Sequence, residues 1–112
     1  VVEKAMVRVL HLRCATRTGV SEELSEFLKE AIPFYESLPG VRVQLLRNVD
    51  EPNRYIEVIV YETIEAYDRD RARVEGDPRM QALLQRWRSL LAPDIAVETY
   101  DDVTEAVRTR SN

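Results

Sequence analysis

The sequence has few of the residues that mark metal, disulfide or nucleophile sites. Its 112 residues include one cysteine, one histidine, one tryptophan and three glycines. One cysteine cannot form an internal disulfide, which agrees with a reducing compartment. One histidine, in a chain without a CxxC or HExxH motif, supplies no ligand set for zinc. We therefore predict no metal site.

Long apolar runs are missing as well. No stretch approaches the roughly 18 apolar residues that span a membrane, and the opening stretch VVEKAMVRVLHLRC carries Glu3, Lys4 and Arg8 where a signal peptide is apolar. The net charge is −4, with both signs interspersed and no basic run. This pattern disfavours nucleic acid and anionic membranes as partners. It predicts a cytoplasmic protein with a small neutral or weakly charged ligand.

The composition is that of one compact domain, with 45% hydrophobic and 32% charged residues. We predict a single domain over residues 1–112, with its core in 5–101 and a polar tail in 102–112. Hydrophobic alternation predicts strands over 5–14, 41–48, 55–62 and 95–101. The third of these, YIEVIVYE, has the most β-branched and aromatic residues, so it is expected to lie centrally.

Three helical segments separate these strands. The first follows Ser21 as N-cap, and Pro33 is expected to kink or restart it near its last turn. Thr63 is expected to cap the second helix, while Asp77 caps a third with Pro78 at its first position. The second helical region is thus split in two.

The resulting order is β-α-β-β-α-β, which predicts an α+β, ferredoxin-like fold with a four-stranded antiparallel sheet and both crossovers on one face. The other face would carry either Met6, Leu10 and Leu12 or Val7 and Val9, together with residues of the third strand. That is too much apolar surface to leave in water. We therefore predict a homodimer in which a second copy covers the open sheet face.

His11 and Cys14 lie three residues apart on the first predicted strand, so their side chains point to opposite faces. They cannot act as a catalytic couple unless the strand ends between them. Cys14 is interpreted as a small strand-end hydrophobe. His11 is either a hydrogen-bonded residue near a strand end or a general base, because the unperturbed pKa of histidine lies near neutrality.

The stretch VIVYETIEAYDRDRARVEGDPRMQALLQRWRSLL has a strand ending in an aromatic, a short helix, a break at GDP and a leucine-rich helix carrying an aromatic. It resembles the dimeric α+β barrel superfamily over residues 5–101. Within that superfamily it is similar to the antibiotic biosynthesis monooxygenase branch, or, through EGDPRMQALL, to the NIPSNAP-like branch. The resemblance implies a homodimer with one ligand cavity per chain between sheet and helices.

In the monooxygenase branch such cavities oxidise aromatic or quinol-like compounds with molecular oxygen, often without metal or flavin, so no cofactor is expected. Haem-degrading relatives have an Asn near the end of the first strand, a Trp at the end of the third and a His on the following helix. Here those neighbourhoods hold His11, Tyr61 and Arg71. The resemblance therefore does not extend to haem degradation. Other superfamily members have no demonstrated catalysis.

Arg71 is the first candidate site residue. Spacing places it on an inner stripe of the second helix, with Ile64, Tyr67 and Val74. A buried guanidinium needs an anionic partner, which would be a phenolate or enolate ligand or else Glu57 or Glu62. Alternatively, the side chain extends past Tyr67 to solvent.

Four further residues are candidate ligand contacts. Tyr61 and Tyr67 offer hydroxyls to a ligand, or else to backbone groups as ordinary core tyrosines do. Trp87 stacks on an aromatic ligand or simply packs in the core. Glu57 is unusual in an apolar strand: it lies on the dimer face opposite Arg8 or Arg42, or lines the cavity as a base with a raised pKa.

Two hypotheses follow. The first is a cofactor-independent monooxygenase in which His11 accepts a proton, Arg71 stabilises the anion, and Tyr61 with Trp87 holds the aromatic ring. The second is a non-catalytic dimeric module that binds a small apolar or aromatic molecule or is purely structural. An isomerase or decarboxylase on the same fold would need the same proton acceptor but no oxygen.

Overall fold

The computed structural model describes residues 7–17 and 19–109. Its elements follow in the order β1 (Val7–Ala15), α1 (Ser21–Tyr35), β2 (Val41–Arg47), β3 (Arg54–Tyr61), α2 (Ile64–Gly76), α3 (Pro78–Ser89), β4 (Ala96–Asp102) and α4 (Thr104–Arg108). The predicted order and the split second helical region are confirmed. The short helix α4, in the segment predicted as a polar tail, was not expected.

The four strands form one antiparallel sheet in the order β2-β3-β1-β4. This arrangement confirms the ferredoxin-like α+β fold and the central position of β3. Across the sheet, Leu12 of β1 lies opposite Glu57 of β3, which in turn lies opposite Leu45 of β2. Directly opposed residues share a face, so this row places Glu57 in the middle of the sheet.

The helix ends follow their local sequence. The Thr63 side chain accepts a hydrogen bond from the Ala66 amide at 3.0 Å, and the Asp77 carboxylate accepts one from the Arg79 amide at 2.8 Å. Both predicted caps are therefore confirmed. Helix α1 begins at residue 21 itself, with Val20 at the N-cap, and it continues through Pro33 to Tyr35 rather than restarting there.

The helices α1, α2 and α3 pack on the same face of the sheet. One core cluster joins α1 and α3 to Cys14, and a smaller one joins Ala66 of α2 to β2 and β3. Leu10 and Leu12 pack against these clusters. Strand alternation therefore turns Val7 and Val9 to the opposite face, whereas Met6 lies outside the described residues.

The face away from the helices is called the open face here. It carries the alternate residues of each strand, including Val9 opposite Val60 and His11 opposite Val58. Two of its larger side chains remain exposed, Leu46 at 49% and Tyr100 at 43%. Over the described ranges, no helix is both long and apolar enough to cross a membrane.

Candidate functional site

Glu57 is the most unusual side chain of the sheet. It lies on the helix-facing side of β3, in one row with Leu12 and Leu45, and is 4% exposed. Its Oε2 atom is buried and has no hydrogen-bond partner within residues 7–17 and 19–109. Burial raises the pKa of the carboxyl to about 7, because a carboxylate is poorly solvated among apolar groups. Glu57 therefore does not lie on the open face, and its role as a cavity-lining base stays a prediction.

Two other titratable groups, Cys14 and Tyr35, lie close enough to Glu57 for its charge to shift their pKa values. Burial raises the pKa of the Cys14 thiol to about 11, and the Glu57 carboxylate adds to that rise. Burial and the same carboxylate also raise the pKa of the Tyr35 phenol. Cys14 and Tyr35 therefore stay protonated near neutral pH, while Glu57 titrates there. Glu57 is therefore a buried group able to accept and return a proton at pH 7.

A second polar group lies under α2. The Tyr61 hydroxyl donates to the Asp70 carboxylate at 2.5 Å, and Arg73 pairs with that carboxylate at 2.9 Å. Arg73 also donates to the backbone carbonyls of Phe34 and Tyr35, each at 2.8 Å. These contacts tie β3 and α2 to the last turn of α1, where carbonyls lack helical partners. The Tyr61 hydroxyl is thus engaged within the protein, as in a core tyrosine.

The prediction that Arg71 lies on the inner stripe of α2 is wrong. Arg71 is exposed, and the buried residues of α2 are Ala66 and Asp70. The inner face of α2 is centred near Asp70. Successive helical residues are about 100° apart around the helix axis, so the next residue, Arg71, points outward. Asp70 and Arg73, which the sequence analysis did not single out, form a largely buried ion pair on the inner side of α2. Their three-residue spacing, which puts them on one side of a helix, was the available signal.

His11 lies on the open face, on the opposite side of the sheet from Glu57. Its ring meets the Tyr100 ring edge-on, with centroids 5.2 Å apart, and Glu98 lies opposite it on β4. The structure therefore separates His11 from Tyr61, which lies on the other side of the sheet. Burial and the Asp70 hydrogen bond raise the pKa of the Tyr61 phenol, and the positive charge of Arg71 offsets part of that rise, so Arg71 lies near Tyr61 although it is exposed. The catalytic roles given to His11 and Arg71 stay predictions.

The predicted ligand contacts are divided between the two core clusters. Tyr61 and Tyr67 meet edge-to-face with ring centroids 5.2 Å apart, and Arg8 stacks on the Tyr67 ring at 4.7 Å. Trp87 is buried in the other cluster, with Cys14 and Leu83. Core packing accounts for the burial of Trp87.

Two open cavities lie where β2 ends and β3 begins. The strand-end cavity, about 670 Å³, is lined by Arg13, Cys14, Ala15, Leu46, Arg47, Asn48, Arg54, Tyr55, Ile56, Ala92, Asp94 and Ala96. The helix groove, about 940 Å³, is lined by Glu22, Glu23, Ser25, Glu26, Arg47, Tyr55, Arg86, Ser89 and Leu90. Arg47 and Tyr55 line both. In the described part of the chain, no group of three or more His, Cys, Asp or Glu is placed to hold a metal ion.

Comparison with known proteins gives a fold assignment. No family model and no curated protein matches the sequence. Among solved structures, a candidate antibiotic biosynthesis monooxygenase of Nitrosomonas europaea superposes with a TM-score of 0.74 at 16% identity, over 93% of this chain and 97% of that one. SnoaB, a cofactor-independent oxygenase of Streptomyces nogalater, gives 0.66 at 20% identity, over 86% and 91%. A protein of Shewanella oneidensis gives 0.68 at 25% identity, over 89% and 93%.

These structures superpose on nearly the whole length of the chain. At these identities the likeness concerns architecture. It agrees with the superfamily resemblance found in the sequence. The chain has the ferredoxin-like α+β fold of the antibiotic biosynthesis monooxygenase-like proteins.

Proposed function

We propose that this protein is a homodimeric, cofactor-independent oxygenase of small aromatic or quinol-like compounds, with Glu57 as its proton acceptor. The observation that carries the proposal is the Glu57 carboxyl itself, buried at mid-sheet, with an Oε2 that has no hydrogen-bond partner among the described residues and a pKa of about 7. Perturbed carboxyls of this kind concentrate at functional sites. A solved structure of the same fold belongs to a protein described as a cofactor-independent oxygenase.

The proposed chemistry uses the substrate as its own reductant. Glu57 removes a proton from an activated methylene or hydroxyl group, and the resulting anion gives one electron to molecular oxygen. Recombination of the two radicals forms a carbon–oxygen bond and, after reprotonation, a hydroperoxide. Loss of water converts that hydroperoxide into a ketone, so one oxygen atom enters the product and the other leaves in water. A base with a pKa near the working pH is well matched to the first step.

The test is oxygen uptake with anthrone, whose methylene gives an aromatic enolate on deprotonation. We expect one oxygen molecule to be consumed per anthraquinone formed. Glu57→Gln keeps the shape of the side chain but cannot accept the proton, and we expect its rate to fall by about 100-fold or more. Glu75→Gln, an exposed glutamate on α2, is the matched control. An unchanged rate in Glu57→Gln would remove the proposed role.

His11→Ala and Arg71→Ala belong in the same experiment, because the sequence predicts catalytic roles for both. Their positions on the open face and on the outer side of α2 favour retained activity. If Glu57→Gln stays active and His11→Ala is inactive, His11 is the proton acceptor, as the sequence predicts. If Arg71→Ala is inactive, Arg71 stabilises the anion, as the sequence predicts.

The homodimer is proposed from the apolar character of the open face. Val9 and Val60 lie opposite each other there and are half-buried in the single chain. We expect native mass spectrometry to give the dimer mass and Val60→Glu to give the monomer. Val49→Glu, at a loop valine that is 94% exposed, should leave the dimer intact. A monomeric wild type would contradict the proposed interface.

A second candidate is a non-catalytic module that binds a small molecule. The observation that favours it is the position of the two cavities, since their lining includes Tyr55 but not Glu57. Such a module would bind aromatic molecules without consuming oxygen. An isomerase or decarboxylase would instead convert its substrate in the absence of oxygen, so the same assay under nitrogen separates the three cases.

A further inference from the structure

The last turn of α1 is fixed to the rest of the fold at two points. On one side, the Glu36 carboxylate accepts a hydrogen bond from the Val43 amide of β2 at 2.9 Å. On the other side, Arg73 of α2 donates to the backbone carbonyl of Tyr35 at 2.8 Å. The Arg73 guanidinium is itself paired with Asp70. Tyr35 is therefore held through its own backbone and through the next residue, and none of these bonds uses its hydroxyl.

These contacts place the Tyr35 side chain above the part of the sheet that holds Glu57. Tyr35 is 5% exposed and belongs to the core cluster against which Leu12 and Val43 pack. Leu12 lies directly opposite Glu57 across β1 and β3. Val43 lies on the same face of β2 as Leu45, which faces Glu57 from the other side. Burial, and after it the Glu57 charge, raises the pKa of the Tyr35 phenol, and a charge acts in this way only over a short distance.

The Glu57 carboxyl lacks hydrogen-bond donors when it is ionised. Its Oε2 atom has no partner among the described residues, and burial is the cause of its raised pKa. Arg47, which lies on the same side of β2, is exposed. The residues that α3 buries are apolar: Met80, Leu83 and Trp87. A carboxylate in such surroundings is stabilised by any neutral donor that can reach it.

Two such donors lie close to Glu57, the Cys14 thiol of β1 and the Tyr35 hydroxyl of α1. Burial and the Glu57 charge raise the pKa of both groups, so both are protonated near neutral pH. Within residues 7–17 and 19–109, neither side chain is hydrogen-bonded to another residue. The other carboxylate near Tyr35, that of Asp70, already has Arg73 as its partner. A thiol is a weak donor, so the Tyr35 hydroxyl is the stronger of the two donors available to Glu57.

We infer that Tyr35 is a positioning residue for Glu57, whose hydroxyl donates a hydrogen bond to Oε2 when the carboxyl loses its proton. The bond stabilises the carboxylate, which is the form that can accept a proton from a substrate. The part of this inference that concerns catalysis rests on the proposed function. The hydrogen bond between the two buried side chains requires neither a substrate nor oxygen.

The test is a titration of Glu57 by carbon NMR spectroscopy, in protein with isotope-labelled glutamate carboxyl carbons. The Glu57 signal is the one that is absent from Glu57→Gln, and in wild type we expect it to report a pKa of about 7. Tyr35→Phe removes one donor and keeps the ring, so the midpoint should rise by about one pH unit, which makes the carboxyl about tenfold weaker as an acid. The rising limb of the pH profile of oxygen uptake should move by the same amount.

Two variants are matched controls. Tyr61→Phe removes the hydroxyl of another buried tyrosine, whose partner is Asp70, and should leave the Glu57 titration unchanged. Cys14→Ala removes the weaker donor and should raise the Glu57 pKa by less than Tyr35→Phe does. Because the Tyr35 hydroxyl has no other partner among the described residues, we expect Tyr35→Phe to fold as wild type does.

The inference is overturned if Tyr35→Phe leaves the Glu57 pKa unchanged or lowers it. It is also overturned if Cys14→Ala raises that pKa at least as much, since the thiol would then be the donor. A protein that consumes no oxygen but shows the expected titration would contradict the proposed function and support the hydrogen bond.

Discussion

Replacing Glu57 by glutamine is expected to stabilise the protein in a manner that depends on pH. The glutamate carboxyl has an ordinary pKa of 4.5, and burial raises it to about 7 in the folded chain. Below pH 4.5 the group is protonated in both the folded and the unfolded chain, so it has no effect on pH dependence. Between pH 4.5 and 7 the unfolded chain loses the proton first, and the wild type therefore loses stability as the pH rises.

The size of the effect follows from the two pKa values. Each unit of difference corresponds to about 1.36 kcal/mol. At pH 8 nearly the full difference applies, and the wild type is destabilised by about 3 kcal/mol. At pH 5 the cost is about 1 kcal/mol or less. The variant Glu57→Gln lacks this titration, so its stability relative to wild type should rise by about 2 kcal/mol between pH 5 and pH 8.

Urea unfolding at pH 5 and pH 8, followed by the fluorescence of the buried Trp87, measures this difference. Protein concentration is held constant, because association contributes to the apparent stability of a dimer. Glu75→Gln, at an exposed position on α2, serves as the control and should match wild type at both pH values. An equal stability difference between Glu57→Gln and wild type at both pH values would refute the argument that burial raises the Glu57 pKa.

Three further predictions concern the buried polar groups. Asp70→Ala leaves the largely buried Arg73 without its carboxylate, so we expect a loss of about 3 kcal/mol in the free energy of unfolding, with little change in Asp68→Ala, an exposed control. Tyr61→Phe removes only the hydroxyl bond to Asp70, and urea unfolding should show a loss of about 1 kcal/mol. Cys14 should resist an aromatic disulfide reagent at pH 8 until urea is added, because burial raises its pKa to about 11. Rapid labelling of the folded protein would contradict that environment.

Most of the fold could be predicted from the sequence, because its elements have strong local signals. The strand YIEVIVYE is rich in β-branched and aromatic residues, and both Thr63 and Asp77 stand immediately before helices that need an N-cap. These signals are local and do not depend on the rest of the chain. The element order followed from them directly.

The candidate site was harder to predict because it depends on which way an element faces. Helix α2 has few apolar residues, so its inner side could not be identified from hydrophobicity. Its inner side carries the pair of Asp70 and Arg73, which is stabilised by hydrogen bonds within the protein. Strand β1 is apolar on both faces, so the pattern around His11 did not say which side it takes.

The position of β1 between β3 and β4 has a consequence for synthesis of the chain. Arg8 of β1 is bonded to Asp101 of β4, 93 residues later. During translation β1 and β3 can pair while β4 is still in the ribosome, and one edge of β1 is then open to other chains. Contacts this distant in sequence also form slowly during folding. Nascent chains of this protein should therefore need protection from aggregation until β4 has been released.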